Sequence, residues 1–220
     1  MHLICKYHPQ NLNLLLDSPF MTQELFNKQD KYDMTCLHFI CKYHPKYLND
    51  LLNSPFMNRK LFNKQDYIDD LTCLHIICKN HPKYLNILLN SQYMTQELFN
   101  KQDDNNWTCL HFICRYHPEY LNVLLNSPFM NRELFNKQDY IDDLTCLHII
   151  CKNHPGYLSE LLNSQYMTQE LFNKQDDNNW TCFHYICEYQ PEYLNELINC
   201  KYFNNLHNIL NINTLAIYRI

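Results

Sequence analysis

Glycine is almost missing from this chain, since Gly156 is the only one among 220 residues. Loops that hold phosphate groups need several glycines, because the backbone must come close to the phosphate. A glycine-rich oxyanion loop is missing as well. The sequence therefore predicts no nucleotide-binding loop, no cofactor and no catalytic site, and we expect the protein not to be an enzyme.

Long apolar runs and an excess of positive charge are also missing. No run approaches the roughly 18 apolar residues that a membrane-spanning helix needs. The formal net charge is −5 and the pI is about 6.1, which gives no electrostatic reason to bind nucleic acid or an anionic membrane. We expect neither of these partners, and we expect no secretory leader because the N-terminus already matches a repeated phrase.

That phrase is Leu-His-x-Ile-Cys or a close variant, and it recurs along the whole chain. Its histidines follow one another in alternating steps of 36 and 37 residues: His2, His38, His75, His111, His148 and His184. A fixed period of this size is typical of a solenoid, in which each unit buries its apolar face against its neighbours. Such proteins present an extended surface, so the period favours a binding function.

The 12 cysteines would suggest a disulfide framework in a small secreted protein, but here they are periodic. The row that follows threonine contains Cys36, Cys73, Cys109, Cys146 and Cys182. The second row contains Cys5, Cys41, Cys78, Cys114, Cys151 and Cys187. Equivalent cysteines in repeats stacked about 8–10 Å apart exceed the roughly 7 Å limit for a disulfide. We therefore expect reduced, buried thiols and a cytoplasmic location.

The repeat that begins at Thr108 illustrates the predicted local structure. Thr108 is a suitable N-cap for a first helix, which should end near Pro118 because the residue before a proline avoids the α conformation. Pro118 then opens a second helix, where its missing N–H costs nothing. Ser127 followed by proline predicts the cap of one further helical turn. The apolar stripes of both main helices point into the stack.

These landmarks resemble the ankyrin repeat. The segment 103–114 matches that family's turn and its Thr-Pro-Leu-His phrase, with cysteine in place of the proline. Leu124-Leu125 and the segment 135–139 match its later landmarks. The resemblance covers about residues 1–200 and implies an all-α, ankyrin-like solenoid of stacked helix–turn–helix units. The long repeats also resemble ankyrin arrays of giant viruses and amoebae.

One turn position is glycine in the ankyrin family and is Asp or Asn here: Asp33, Asp70, Asn106, Asp143 and Asn179. These two residue types best tolerate the left-handed region without glycine, so we expect the turn to form. The resemblance also implies that the repeated histidines hydrogen-bond the turn and the threonine hydroxyl, which makes them structural.

A metal site is the competing interpretation of the same residues. Each full repeat contains a Cys-x-His-x2-Cys-x2-His pattern, as in Cys36, His38, Cys41 and His44, and both residue types bind zinc. However, Cys36 and Cys41 would point about 140° apart on a helix. Near-copies of one Cys–His pair in every repeat also argue against a catalytic dyad. We therefore favour structural histidines and keep metal binding as a weaker alternative.

The period predicts units at about 1–34, 35–71, 72–107, 108–144, 145–180 and 181–200 onward, with a C-terminal cap or degenerate repeat at 201–220. A longer period of 73 residues lies over the shorter one. Residues 72–107 and 145–180 differ at only three positions, which indicates that a pair of repeats was duplicated.

Positions that vary between the repeats fall on the predicted turns and on the ends of the first helices, which by resemblance form the concave binding face. The candidate partner-binding residues are Tyr32, Tyr43, Tyr67, Ile68, Trp107, Arg115, Tyr116, Tyr140, Ile141, Trp180 and Tyr189. Met34, Leu71 and Leu144 belong to the same predicted exposed set. Tyr, Trp and Arg are enriched in interface hot spots. For Trp107 and Trp180, packing against neighbouring turns is as strongly favoured as partner binding.

We therefore expect a non-catalytic protein–protein interaction module that binds a partner protein, which is a host protein in the host cytoplasm if the chain is viral. The alternative is a structural spacer that self-assembles through its ends, because missing caps would expose core faces.

Overall fold

The computed structural model describes residues 1–203, which fall into two compact units. The first unit is Met1–Met130 and the second begins at Asn131. Within residues 1–203 the structure is helical and has no β-strand, apart from an isolated antiparallel bridge between Gln65 and Thr72.

In residues 1–203 each repeat contains a first helix and a 3-10 turn that leads into a second helix, and every repeat before the last also has a short third helix. In the first unit the helices are α1 (His2–Tyr7), α2 (Leu12–Leu16), α3 (Gln23–Asn27), α4 (Cys36–Tyr43), α5 (Leu48–Leu52), α6 (Arg59–Phe62), α7 (Cys73–Asn80), α8 (Leu85–Leu89), α9 (Gln96–Phe99), α10 (Cys109–Tyr116) and α11 (Leu121–Leu125). The 3-10 turns are Pro9–Asn11, Pro45–Tyr47, Pro82–Tyr84 and Pro118–Tyr120.

The second unit repeats the same order. Its helices are α12 (Arg132–Phe135), α13 (Cys146–Asn153), α14 (Leu158–Leu162), α15 (Gln169–Phe172), α16 (Cys182–Tyr189) and α17 (Leu194–Ile198), with 3-10 turns at Pro155–Tyr157 and Pro191–Tyr193. Most of the segment 201–220, which we predict to be a cap or degenerate repeat, lies outside the described residues.

The first helices pack side by side in each unit. Helices α1, α4, α7 and α10 contact one another in that order, and α13 contacts α16. From α4 onward the apolar residues on the inner face of each first helix are buried, such as Leu37, Ile40 and Cys41 in α4. Neighbouring helical repeats therefore cover each other's apolar faces, which confirms the predicted all-α repeat fold.

The third helices add an aromatic layer. Phe26 is fully buried, and its ring centroid lies 5.9 Å from that of Phe56 in the following repeat. Phe62 pairs with Tyr93 over the same distance. Each repeat therefore places one aromatic ring on the phenylalanine of the repeat before it.

The repeated histidine completes the cap of every first helix from α4 onward. In α4 the Thr35 hydroxyl accepts a hydrogen bond from the His38 backbone N–H at 3.3 Å. The Thr35 N–H donates to His38 Nδ1 at 3.0 Å, so Nε2 carries the proton and donates to the Lys64 carbonyl at 3.2 Å. Both ring nitrogens are thus engaged, and the structural role of this histidine is confirmed.

Burial has a chemical consequence for these histidines. Loss of solvation lowers the pKa of His38, His75 and His148 to about 4, because the protonated ring is costly in an apolar surrounding. The rings are therefore neutral at physiological pH.

The turn residues also behave as predicted. The only non-glycine residues with positive φ in residues 1–203 are Asp33, Asp70, Asn106, Asp143 and Asn179, with values between 53° and 62°. Aspartate and asparagine thus occupy the left-handed conformation that glycine would otherwise supply.

Ser127 caps a turn as predicted, because its Oγ accepts from the Phe129 N–H at 3.3 Å, but no helix continues from it. Residues 127–130 form a single tight turn, in which the Met130 N–H donates to the Ser127 carbonyl at 3.0 Å. The equivalent turn at Ser54 is followed by Asn58, whose side chain caps α6 by accepting from the Leu61 N–H at 2.9 Å. The helix therefore begins four residues later than expected, because Asn58 is positioned to bind its free N–H groups.

The cysteine rows are buried as predicted, except that Cys187 is half-buried like Cys200. None of the 12 cysteines forms a disulfide. In the first row the thiol of Cys36 donates to the Phe26 carbonyl at 3.6 Å, and Cys73 makes the equivalent bond with Phe62. These cysteines act as small core residues that also satisfy a third-helix carbonyl.

Candidate partner-binding surface

Each turn that precedes a first helix is built around one aspartate. We call these turns the tips, at residues 30–34, 66–71 and 103–107 in the first unit and 139–144 and 176–180 in the second. Asp103 Oδ1 accepts from the Asn105 N–H at 3.0 Å and from the Trp107 N–H at 2.7 Å. This aspartate is buried and holds the tip in place, so it is not free to contact a partner.

Backbone hydrogen bonds connect neighbouring tips within a unit. The Tyr67 N–H donates to the Tyr32 carbonyl at 2.9 Å, and the Asp104 N–H donates to the Asp69 carbonyl at 3.1 Å. In the second unit Asp177 donates to Asp142 in the same way. These bonds hold the tips of each unit in a row, which fixes the spacing of the side chains they carry.

The tyrosine–isoleucine pairs of two tips are the most exposed candidates. Tyr67 and Tyr140 each expose 76% of their surface, while Ile68 exposes 55% and Ile141 60%. The candidates Tyr32, Tyr43, Tyr116 and Tyr189 are between 41% and 50% exposed, and Arg115 is exposed as well. An isoleucine beside a tyrosine at such exposure is an apolar feature that a partner can cover.

Trp107 and Trp180 are half-buried. The Trp107 ring meets Phe112 edge-on at 5.2 Å between centroids and lies 6.2 Å from Tyr116. Trp180 contacts Tyr185 in the same manner at 5.3 Å. Both tryptophans thus pack against the first helix that follows them, and their contribution to binding stays a prediction.

The expectation that Met34, Leu71 and Leu144 are exposed is wrong, because all three are buried. Each stands directly before the threonine cap and five residues before an apolar residue of the first helix. A side chain at this position folds back onto the helix as a hydrophobic staple. The Trp107–Phe112 contact has the same spacing, which explains why the tryptophans are half-buried too.

Two contacts, one buried beneath a tip and one on the surface, were missed from the sequence. Tyr185 donates a hydrogen bond from its hydroxyl to Asp176 Oδ2 at 2.6 Å. Lys6 was not among the candidates, although its ammonium group lies 5.7 Å from the ring centroid of Tyr43 in the next repeat. A basic residue in the last turn of nearly every first helix was the available signal for the second feature.

The comparisons with known proteins bear on the fold. No protein-family model matches the chain, and no curated protein matches its sequence. Among solved structures, the chain is similar to one chain of the Bd0816 predatory endopeptidase from Bdellovibrio bacteriovorus in complex with immunity protein Bd3460. The TM-score is 0.66 at 15% identity, covering 87% of this chain and 92% of that chain.

An identity this low shows a shared helical-repeat fold and nothing finer. Among residues 1–203, no helix has both the length and the apolar character to cross a membrane. The chain is a helical-repeat protein with a period of about 36 residues, and its fold is also found in a structure of a protein–protein complex.

Proposed function

We propose that this chain is an ankyrin-type repeat protein that binds a partner protein without catalysing a reaction. The tips and the ends of the first helices form the binding surface in each unit. The observation that carries this proposal is the exposure of Tyr67 and Ile68, and of Tyr140 and Ile141, on tips that hydrogen bonds hold in place.

Three further points support the proposal. A binding surface made on fixed turns loses little conformational freedom when a partner docks, which favours affinity. Tyrosine is enriched among the residues that dominate interface energy. The similar solved structure is a complex between two proteins. We further propose a reducing compartment such as the cytoplasm, supported by the buried, free thiols.

The test is capture of partners from a eukaryotic cell lysate on the immobilised full chain. One variant carries Tyr67→Ser and Ile68→Ser, and a second carries Tyr140→Ser and Ile141→Ser. The tryptophans are left unchanged, because their removal would damage packing. We expect a protein that the native chain retains and that one or both variants lose.

The matched control carries Leu14→Ser and Phe20→Ser, which also removes one aliphatic and one aromatic side chain. These residues are 75% and 84% exposed but lie away from the tips. The control should retain the partner. If the tip variants retain the same proteins as the native chain, the tips are not the functional surface.

Self-association is the second candidate function, and one observation favours it. Leu3 of α1 is 71% exposed, whereas Phe39 at the equivalent position of α4 is 6% exposed. Light scattering across protein concentrations tests this candidate: oligomers that disappear in Leu3→Lys would support it, and a monomer at all concentrations would contradict it.

A further inference from the structure

Charge is divided unevenly between the tips and the remainder of the chain. The five tips hold twelve of the 23 acidic residues and only one of the 18 basic residues. Although the net charge of the chain is −5, the residues outside the tips therefore include more basic than acidic side chains. Local charge, rather than net charge, decides what a given surface attracts.

In the first unit this basic character is concentrated on the first helices. The last turn of each carries one cation: Lys6 in α1, Lys42 in α4, Lys79 in α7 and Arg115 in α10. These four helices pack side by side, and the axes of packed helices lie about 8–10 Å apart, so their last turns place the four cations in one row at about this spacing. We call these four residues the basic row.

Aromatic rings hold part of this row in position. The ammonium group of Lys6 lies 5.0 Å from the ring centroid of Tyr7 and 5.7 Å from that of Tyr43. The ammonium group of Lys42 lies 5.7 Å from the same Tyr43 ring. One exposed tyrosine thus has a cation beside it from each of two repeats, and within residues 1–203 neither lysine forms an ion pair with a carboxylate.

The helix dipole explains only part of this arrangement. A cation at a helix C-terminus is stabilising, which accounts for one basic residue in the last turn of each first helix. The dipole does not require Lys6 and Lys42 to share one exposed ring across a repeat boundary. Two cations that lack carboxylate partners attract a partner that supplies negative charge.

We propose that the basic row binds an extended acidic segment of the partner protein. In the extended polyproline II conformation a chain rises about 3.1 Å per residue and has three residues per turn. A carboxylate at every third residue therefore lies on one face, at about the spacing of the row. The acidic tips repel such a segment and confine it to the ends of the first helices. This inference rests on the proposed function and names the chemical class of its partner.

The test uses a labelled twelve-residue peptide with glutamate at every third position and serine elsewhere, and a second peptide with glutamine in place of glutamate. The full chain is added to the labelled peptide at low salt, and the fluorescence anisotropy of the peptide measures binding. The glutamate peptide should bind and the glutamine peptide should not. Binding should weaken as salt is added, because salt screens exposed charges.

Two double variants locate the site. Lys6→Gln with Lys42→Gln removes two cations of the row and should raise Kd about three- to tenfold. Lys46→Gln with Lys83→Gln removes the same charge from lysines that also lie over tyrosines, at 5.0 and 5.1 Å, but precede the second helices. This control should change Kd less than about twofold. Circular dichroism verifies that both variants are folded.

No binding of the glutamate peptide at low salt would overturn the inference, as would equal losses in the two double variants. The proposed function and the acidic-segment inference can be contradicted independently of each other. If the captured partner is lost from the Tyr67→Ser, Ile68→Ser variant but retained by Lys6→Gln, Lys42→Gln, the tips bind a partner and the acidic-segment inference is wrong. If the tip variant retains the partner while the peptide binds the row, the proposal that the tips bind the partner is wrong and the acidic-segment inference stands.

Discussion

Tyr185 on α16 donates a hydrogen bond to the carboxylate of Asp176 in the tip that precedes this helix, at 2.6 Å. The equivalent residues in the first unit are Phe112 and Asp103, so the hydroxyl is missing there. Burial raises the pKa of Asp103 to about 6. The duplicated repeats thus contain the same tip with and without a donor to its carboxylate.

We expect Tyr185→Phe to lower the free energy of unfolding by about 1.5–3 kcal/mol, because the lost bond involves a charged acceptor. Phe112→Tyr should have the opposite effect and should lower the pKa of Asp103, since a donor favours the charged carboxylate. Urea unfolding and a carboxyl titration by NMR measure the two effects. A Tyr185→Phe variant as stable as the native chain would show that this bond contributes nothing net.

Removal of a capping histidine should be far more costly than removal of an exposed one. His75→Ala leaves the Thr72 N–H and the Lys101 carbonyl without the ring that now binds both, at 3.2 and 3.0 Å. We expect a loss of about 2–4 kcal/mol, measured by urea unfolding. His8→Ala is the control, because His8 is exposed and should change stability by less than about 0.5 kcal/mol. A loss below about 1 kcal/mol for His75→Ala would contradict the capping role.

Acid should unfold the protein through the same histidines. The pKa of His38, His75 and His148 is about 4 in the folded state and about 6.5 when unfolded. The unfolded chain therefore binds more protons between these values, and stability is lost as pH falls from 6.5 to 4. Each histidine contributes up to about 3 kcal/mol to this loss.

Asp103 acts in the opposite direction, because its raised pKa favours the folded state as pH falls below about 6. One carboxyl cannot offset three histidines, so we expect net destabilisation. Urea unfolding at pH values from 7.5 to 4.5 measures this. Constant stability across that range would show that the histidines are not buried as neutral rings.

Thiol labelling should separate buried from accessible cysteines. Burial raises the pKa of Cys36, Cys41 and Cys78 well above the ordinary thiol value, so no thiolate is available to react. We expect iodoacetamide to modify only Cys187 and Cys200 in the folded protein, and all 12 thiols in urea. Mass spectrometry counts the labels, and Cys187→Ser should remove one of them. More than two labels without denaturant would contradict the described core.

Local features of the fold were readable from the sequence. Thr108 as a helix cap and Asn106 as a left-handed turn residue were predicted because each depends on a few adjacent residues. The turn at Ser54 shows the limit of this reasoning: serine followed by proline suits either a turn or a helix start, and the nearby Asn58 decides between them.

The surface was harder to predict because it depends on contacts between residues that are apart in sequence. Leu71 looked exposed since it varies between repeats, but its place before the threonine cap directs it onto the helix. The Tyr185–Asp176 bond spans nine residues, and the position of Lys6 beside Tyr43 depends on a neighbouring repeat. Neither follows from a repeat taken alone.

The same histidine-to-carbonyl bond recurs from one repeat to the next. It joins His2 to Lys28, His38 to Lys64 and His75 to Lys101 in the first unit, and His148 to Lys174 in the second. Each of these bonds lies within one repeat, so these repeats share the same internal tie, and exposed residues such as Tyr67 and Ile68 take no part in it. Point mutations can change the exposed side chains of the tips, and length can change by copying whole repeats, without either process disturbing the architecture.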